Sequence, residues 1–413
     1  TFPVVMVVQT LAVAAETSVM MRVMMQVVAV VGSVAVAVTM VVVDGLAVEI
    51  MAVVVTSVAA AILALSMLGL FAVTPPLAPL AWFALMMLPL FSAYSFLSIA
   101  FYAQGVARAQ SVASGHIGLA GWRETGSLIG VCLAAVAPVA LAGTGAPFPI
   151  FAAGFATLAL LAVLAMRGQW RGSLLPQALP FRAALRQVTR DAPARRLLVL
   201  ALINAAPVAV TSTLFLFYVE SVLQRADAAG PLLLLFFLSA AVSAPIFSNL
   251  GQRFGERPVL LAAMALAVAS FVWAYSLGAG QIFGFALITA ASGAALGADM
   301  VLLPALFARR LAQIGGEGAG FGLWAFASKL SLALAAAVLL PLLQVGGFAS
   351  GVQNTPQALA LLTLLYAGVP CGLKLVAMAL LARGYDMLKF FPAEAAGGVP
   401  ALKAIGAPLP QIS

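Results

Sequence analysis

Five ionisable side chains sit in otherwise apolar surroundings, and any chemistry of this protein has to be built from them: Arg123, Glu124, Asp299, Lys329 and Lys374. A charge buried in a bilayer costs at least a few kcal/mol near its centre, so one that is kept there has a partner or a passenger. Lys329 lies nine residues beyond Gly320 and Asp299 ten before Arg309, which at the helical rise places them roughly 13 and 15 Å from the nearer helix ends. A carboxylate at that depth must be paired, protonated or hydrated. Asp299 is therefore expected to titrate a proton or bind a solute, and to pair with Lys329 on the following span. Lys374, nine residues before Arg383 and beside Pro370 and Gly372, is expected to snorkel to the surface or serve packing. Arg123 and Glu124 adjoin near the start of a span and read as a gate pair. The neutral groups Gln104, Tyr94, Asn204 and Tyr218 could hydrogen-bond a polyhydroxyl solute, although holding helices together is the commoner use of such side chains.

Other chemistries find no support in these residue types. The sequence contains no HExxH, no GxSxG and no phosphate-binding glycine loop, and its few carboxylates are scattered, so no enzyme and no cofactor is expected. Cys132 and Cys371 each stand alone in an apolar segment, which implies neither a disulfide nor a metal. The net charge of +8 does not gather on one stretch, which argues against a nucleic-acid partner. His116, in the loop after the fourth span, reads as a solvated residue.

The elements that must position these groups are membrane helices. The chain of 413 residues is 64% hydrophobic and 8% charged, and its mean hydropathy is +1.15. Long apolar stretches without strand-like alternation are helices rather than barrel strands. Charges, prolines and glycine clusters divide the chain into spans at about 1–19, 23–43, 49–73, 78–104, 117–142, 148–166, 196–219, 230–250, 257–277, 281–308, 318–345 and 357–382. The fold class is thus an all-α membrane protein of twelve transmembrane helices in two six-helix bundles. Sixteen lysines and arginines fall on the loops after even-numbered spans, at the start of the fifth and in the tail, against Arg22 and Arg225 on the other side. By the positive-inside rule both termini face the cytoplasm, as expected of a bacterial inner-membrane protein. The start at Thr1 shows no basic n-region or cleavage pattern, so no removable signal peptide is expected. Residues 167–195 carry six arginines and three prolines, reading as a central cytoplasmic loop between an N-terminal bundle (1–166) and a C-terminal one (196–383), followed by a cytoplasmic tail (384–413). Two bundles joined in this way are the layout of carriers that rock around a midplane site. Prolines 207, 245, 304, 341 and 370 fall inside spans, where they kink helices and free carbonyls.

Four stretches carry a family resemblance. Ser248 to Leu261, SNLGQRFGERPVLL, resembles the GxLxDRxGRR loop signature of major facilitator proteins, with Gln252 at its acidic position. Gly255 permits a tight turn there, and Arg253 and Arg257 can pair with helix C-terminal carbonyls. The other three are FYAQGVARAQSVASGHIGLAGWRETGSL from Phe101, LINAAPVAVTSTLFLFYVESVL from Leu202, and the GAALGADMVLLPALFARRL and GEGAGFGLWAFASKLSLAL runs after Ser292. Over about residues 80–385 the chain resembles the glycoside, pentoside and hexuronide cation symporters, the melibiose permease branch of the major facilitator superfamily.

That resemblance implies a secondary transporter of a small polar solute, a sugar or glycoside, in the lipid bilayer, with H⁺ or Na⁺ as coupling cation. It implies that Arg123 holds sugar hydroxyls, that Lys329 lies near the sugar and cation sites, and that Tyr102 is the aromatic on which sugar stacks. Departures bear on coupling: no DxxxD pair occurs in the first 75 residues, and Ser98 stands where melibiose permease has an aspartate. Hard cations want several oxygen ligands, preferably anionic. Two alternatives stay open, a carrier of an amphipathic or lipid-like solute and a non-transporting scaffold of the same fold.

Overall fold

In hydrocarbon every backbone N–H and C=O has to find its partner inside the chain, and a helix does so segment by segment. The computed structural model describes residues 48–109, 115–166 and 181–383, almost entirely as helix. In chain order the helices are α1 (Val48–Phe71), α2 (Pro79–Ala109), α3 (Gly115–Ala140), α4 (Pro147–Met166), α5 (Phe181–Arg190) and α6 (Ala192–Phe217). They continue as α7 (Ala229–Phe254), α8 (Glu256–Ala274), α9 (Ile282–Ile314), α10 (Glu317–Val345), α11 (Pro356–Thr363) and α12 (Val369–Arg383). A π turn at Tyr218–Val222 extends α6, and another at Leu364–Gly368 joins α11 to α12 into one span. Ten helices among the described residues are long and apolar enough to cross a membrane. They follow the third to twelfth expected spans. The expected spans at 1–19 and 23–43, and the tail, lie outside the described residues.

Helix ends are set by local chemistry. Asp191 caps α6, its carboxylate accepting from the Ala194 amide at 2.8 Å, with a proline in the first turn. Thr355 does the same for α11 ahead of Pro356. Between α7 and α8 only Gly255 intervenes, at φ +85°, a conformation that side chains with a Cβ rarely adopt.

One expected loop is partly helix. Within the polar connection expected at 167–195, residues 181–190 form α5 and 192 already begins α6. The reason lies in its spacing: Phe181, Ala184, Leu185 and Val188 recur at helical intervals while Arg182, Arg186 and Arg190 fall on another face. Ala184 and Val188 are buried, and Gln187 donates to the Ile314 carbonyl at the end of α9.

Packing in lipid draws on close contact and hydrogen bonds more than on the hydrophobic effect. In the first half, α1 packs on α2 and α4. In the second, α9 packs on α7 and α8, while α6 packs on α10 and α12. At the α7–α9 crossing backbone meets backbone closely: a Cβ on Gly293 would lie 2.3 Å from the Phe236 carbonyl oxygen, and one on Gly297 would lie 2.6 Å from that of Ala240. Ser243 donates across the same crossing to the Ala294 carbonyl at 3.0 Å. The halves meet where α3 lies on α7 and α9, and α2 on α10.

Candidate functional site

The seam between the halves is built at the arginine-rich end of the helices. Gly121 of α3 lets that helix come so close to α7 that a Cβ would sit 2.6 Å from Ser248 Oγ, and the Ser248 hydroxyl donates to the Ile117 carbonyl at 3.1 Å. Gly251, one turn along α7, faces Leu302 of α9 as closely. Beside this crossing α2 brings Tyr102 against Phe321 of α10, ring centroids 5.0 Å apart. Phe321 packs on Phe307, which stacks on Trp324 at 5.3 Å. An aromatic plug from three helices and a glycine-serine crossing therefore close one end of the seam.

Set into that closure is an ionic cluster. Glu124 is 2% exposed, and its Oε1 accepts from Arg123 Nε at 2.9 Å and from the Tyr102 hydroxyl at 2.7 Å. The Arg123 guanidinium lies 3.6 Å above the Tyr102 ring, close enough for cation–π attraction. Arg123 and Glu124 are thus paired with each other. One face of the ring offered for sugar stacking is covered by Arg123, and Phe321 is tilted against it. His116, expected in a loop, is the second residue of α3 and lines a small crevice with Tyr102, Arg123 and Pro304. Gln104 is half-buried on the same helix as Tyr102.

Deeper in the seam Lys329 of α10 reaches across to α2, donating from Nζ to the Ser95 hydroxyl. Ser95 is buried and spends its own hydrogen on the Phe91 carbonyl at 2.6 Å, so its oxygen lone pairs face the ammonium. Ser98, one turn on, donates to the Tyr94 carbonyl.

The expected Asp299–Lys329 pair is not formed. Asp299 pairs instead with Lys374 of α12, which also donates to Asn204 Oδ1 on α6 at 2.6 Å. The physical reason is direction rather than adjacency: α12 packs on α6 and α8, both of which contact α9, and Lys374 reaches Asp299 and Asn204 there, while Lys329 of α10 is turned across the seam to Ser95 of α2. Lys374 does not snorkel; it is 3% exposed, with Asp299 at 7% and Asn204 at 5%. This triad joins three helices inside the second half, and Asp299 Oδ1 has no hydrogen-bond partner among the described residues. Asn204 thus spends its carbonyl oxygen on Lys374, not on the seam. Lys374 as the partner of Asp299 was missed, although both lie at similar distances from the arginine-rich ends of their helices.

The loop signature also has its contacts at this end. Arg257 donates to the Ala382 carbonyl at the end of α12 at 2.7 Å, the helix-terminus pairing expected of it. Its neighbour Glu256 forms an ion pair with Arg309 of α9, while Arg253 is exposed. Arg310 grips Asp191 with two hydrogen bonds, one of them 2.9 Å long, and so ties the start of α6 to the end of α9. The Arg310 guanidinium beside Asp191 holds its carboxyl below the usual carboxylate range. Sequence reading overlooked Asp191; its place before Ala-Pro at the head of an apolar run is a capping signal that could have found it.

Comparison with solved structures places this arrangement in a known fold. The human organic anion transporter MFSD10 (TETRAN) superposes with a TM-score of 0.61 at 18% identity, over 88% of this chain and 83% of that one. A bacterial homologue of the iron transporter ferroportin, solved in an outward-facing state, gives 0.62 at 16% identity, over 87% and 89%. The E. coli fucose:proton symporter FucP gives 0.60 at 14% identity, over 86% and 90%. Among curated proteins a 2-dehydro-3-deoxy-phosphogluconate aldolase of Pseudoalteromonas atlantica is 67% identical over 30 residues, 7% of this chain and 14% of the aldolase. The chain therefore spans only a small part of that relative, and the short match says nothing of a shared fold. A sequence profile of the MFS/sugar transport protein family, by contrast, matches residues 57–388. The ten apolar helices, the seam between their halves and that match lead to one conclusion: this integral membrane protein belongs to the MFS/sugar transport protein family of secondary transporters.

Proposed function

We propose that the protein carries a small polar solute, a sugar or glycoside, across a bacterial inner membrane by alternating access, the arginine-rich end facing the cytoplasm. In this reading the closure of α2 and α3 on α7, α9 and α10 is the cytoplasmic gate, shut, and the solute reaches Lys329 from the opposite side. The single observation that carries the reading is the meeting of ionic side chains from both halves within the membrane: Arg123 and Glu124 from one, Lys329 from the other across to Ser95. Groups that are this costly to bury and lie on the moving interface have a passenger to bind. Arg123 would offer donors to solute hydroxyls once the gate parts and its grip on Tyr102 and Glu124 loosens, with Tyr102 and Gln104 beside it.

The fucose:proton symporter among the structural neighbours, and the sugar-transport description of the family, support a hydroxylated solute. The test is uptake by purified protein in proteoliposomes of labelled monosaccharides and glycosides. Saturable uptake above protein-free vesicles, lost in Arg123→Gln, is the expected result. No uptake of any of them, or uptake indifferent to Arg123, would remove the reading. An imposed H⁺ or Na⁺ gradient in the same assay identifies the coupling cation by which of the two drives accumulation.

A further inference from the structure

The connector between the halves carries a charge pattern that helix formation alone disfavours. Arg182, Arg186 and Arg190 recur every four residues on α5, so they stand one above another on a single face, and all three are exposed. Like charges at that spacing destabilise a helix, and ten residues are too few for a helix standing alone in water. Arg195 and Arg196, exposed near the start of α6, extend the basic surface. Asp191, the acid between the two helices, is spent on capping α6 and on Arg310. The other face of α5 fixes its level: Ala184 and Val188 are buried, Gln187 donates to the Ile314 carbonyl, and a Cβ on Gly316 would lie 3.3 Å from that of Ala184. The helix thus lies along the turn between α9 and α10, and a single residue separates it from the apolar span that starts at Ala192. The headgroup layer on each side of a bilayer is roughly 5–7 Å thick, and a helix placed so close to a span lies at its level.

We infer that α5 is a docking surface for anionic phospholipid, whose phosphates are received by Arg182, Arg186 and Arg190. A guanidinium matches a phosphate with two parallel hydrogen bonds and keeps its charge in any surroundings. Basic clusters on an amphipathic helix beside a membrane span are drawn to an anionic leaflet, at about fivefold in affinity per arginine. The three charges spread over about 12 Å of helix axis. A single small anion spans only part of that length, whereas a leaflet presents a phosphate to each guanidinium and relieves the repulsion along the face. The chain's own acids outside the described residues, Glu16, Asp44, Asp386 and Glu394, are divided between its two ends and do not form such an array. Docking of this kind needs a bilayer and no particular solute.

The test reconstitutes the full chain into nanodiscs of phosphatidylcholine, with or without phosphatidylglycerol, and follows amide hydrogen exchange over residues 181–190 relative to α9. Phosphatidylglycerol should slow that exchange by roughly tenfold or more. The triple variant Arg182→Gln, Arg186→Gln, Arg190→Gln should exchange alike in the two lipids, while Arg383→Gln, which removes an exposed arginine at the end of α12, should keep the response. Glutamine is a good helix former and carries no like charge, so an equal or higher melting temperature in phosphatidylcholine confirms that the triple variant folds. Equal exchange of the parent in both lipids overturns the assignment, as does a response that survives the triple variant or is lost in Arg383→Gln. A response reproduced by inorganic phosphate in phosphatidylcholine discs would replace the lipid by a free anion. Faster α5 exchange on neutralising Glu16, Asp44, Asp386 and Glu394 together, with no response to phosphatidylglycerol, would give the face to the chain's own acids.

Discussion

Removing Lys374 should damage the protein far more than removing Lys374 and Asp299 together. The ammonium is 3% exposed and is the only described cation on the Asp299 carboxylate, one of whose oxygens has no hydrogen-bond partner among the described residues. Lys374→Met keeps the length and apolar stem of the side chain but removes the ammonium that donates to both the Asp299 carboxylate and the Asn204 carbonyl oxygen. Breaking a buried pair by removing one partner costs about 3–5 kcal/mol, and about 4 kcal/mol corresponds to roughly a thousandfold in the folding equilibrium. The double variant Lys374→Met with Asp299→Leu replaces the pair by apolar groups and should recover to within about 1–2 kcal/mol of the parent. The assay is loss of the monodisperse peak on heating in detergent, with an SDS titration giving free-energy differences. Single variants indistinguishable from the parent, or a double variant as damaged as the sum of the singles, would refute the view of this triad as a compensated clasp between three helices.

Other outcomes follow from the seam and the arginine-rich end. Gly121→Leu cannot be seated against Ser248 without parting α3 from α7; in a background lacking Cys132 and Cys371, a cysteine at Ala120 should then react faster with a maleimide, and an unchanged rate would mean that the crossing is not the gate. Asp191→Ala should lower stability by about 1 kcal/mol through loss of the helix cap, more if the Arg310 contact is strong. Because Arg310 depresses the Asp191 carboxyl, that stabilisation is present above the unfolded value near pH 4 and fades as pH falls through the folded one; an Asp191→Ala melting curve that falls in parallel with the parent on acidification would contradict it. Arg257→Ala frees the last carbonyls of α12 and should show as faster amide exchange around Ala382, with little effect on the α7–α9 crossing.

Lipid solvation and hydropathy alone determined the helices: a chain so apolar can satisfy its backbone only in this way, and the described spans fall where charges, prolines and glycines divide the sequence. The contacts of Arg257 with a helix end and of Arg123 with Glu124 were also legible, because they depend on local neighbours and on residue types with few other uses. The pairing of the deep charges was not. Asp299, Lys329 and Lys374 lie at nearly equal distances from the arginine-rich ends of their helices, so depth allowed either lysine as partner, and adjacency in sequence favoured the wrong one. Which helices touch is decided in part by small residues such as Gly293 and Gly297, which draw α9 onto α7, while α12 packs on α6 and α8 and brings Lys374 to Asp299 and Asn204. Only that packing shows that one acid is already neutralised inside its own half while Lys329 stands at the interface with a hydroxyl. Electrostatic partnership depends on distances of a few ångströms between helices, and one-dimensional spacing does not carry them.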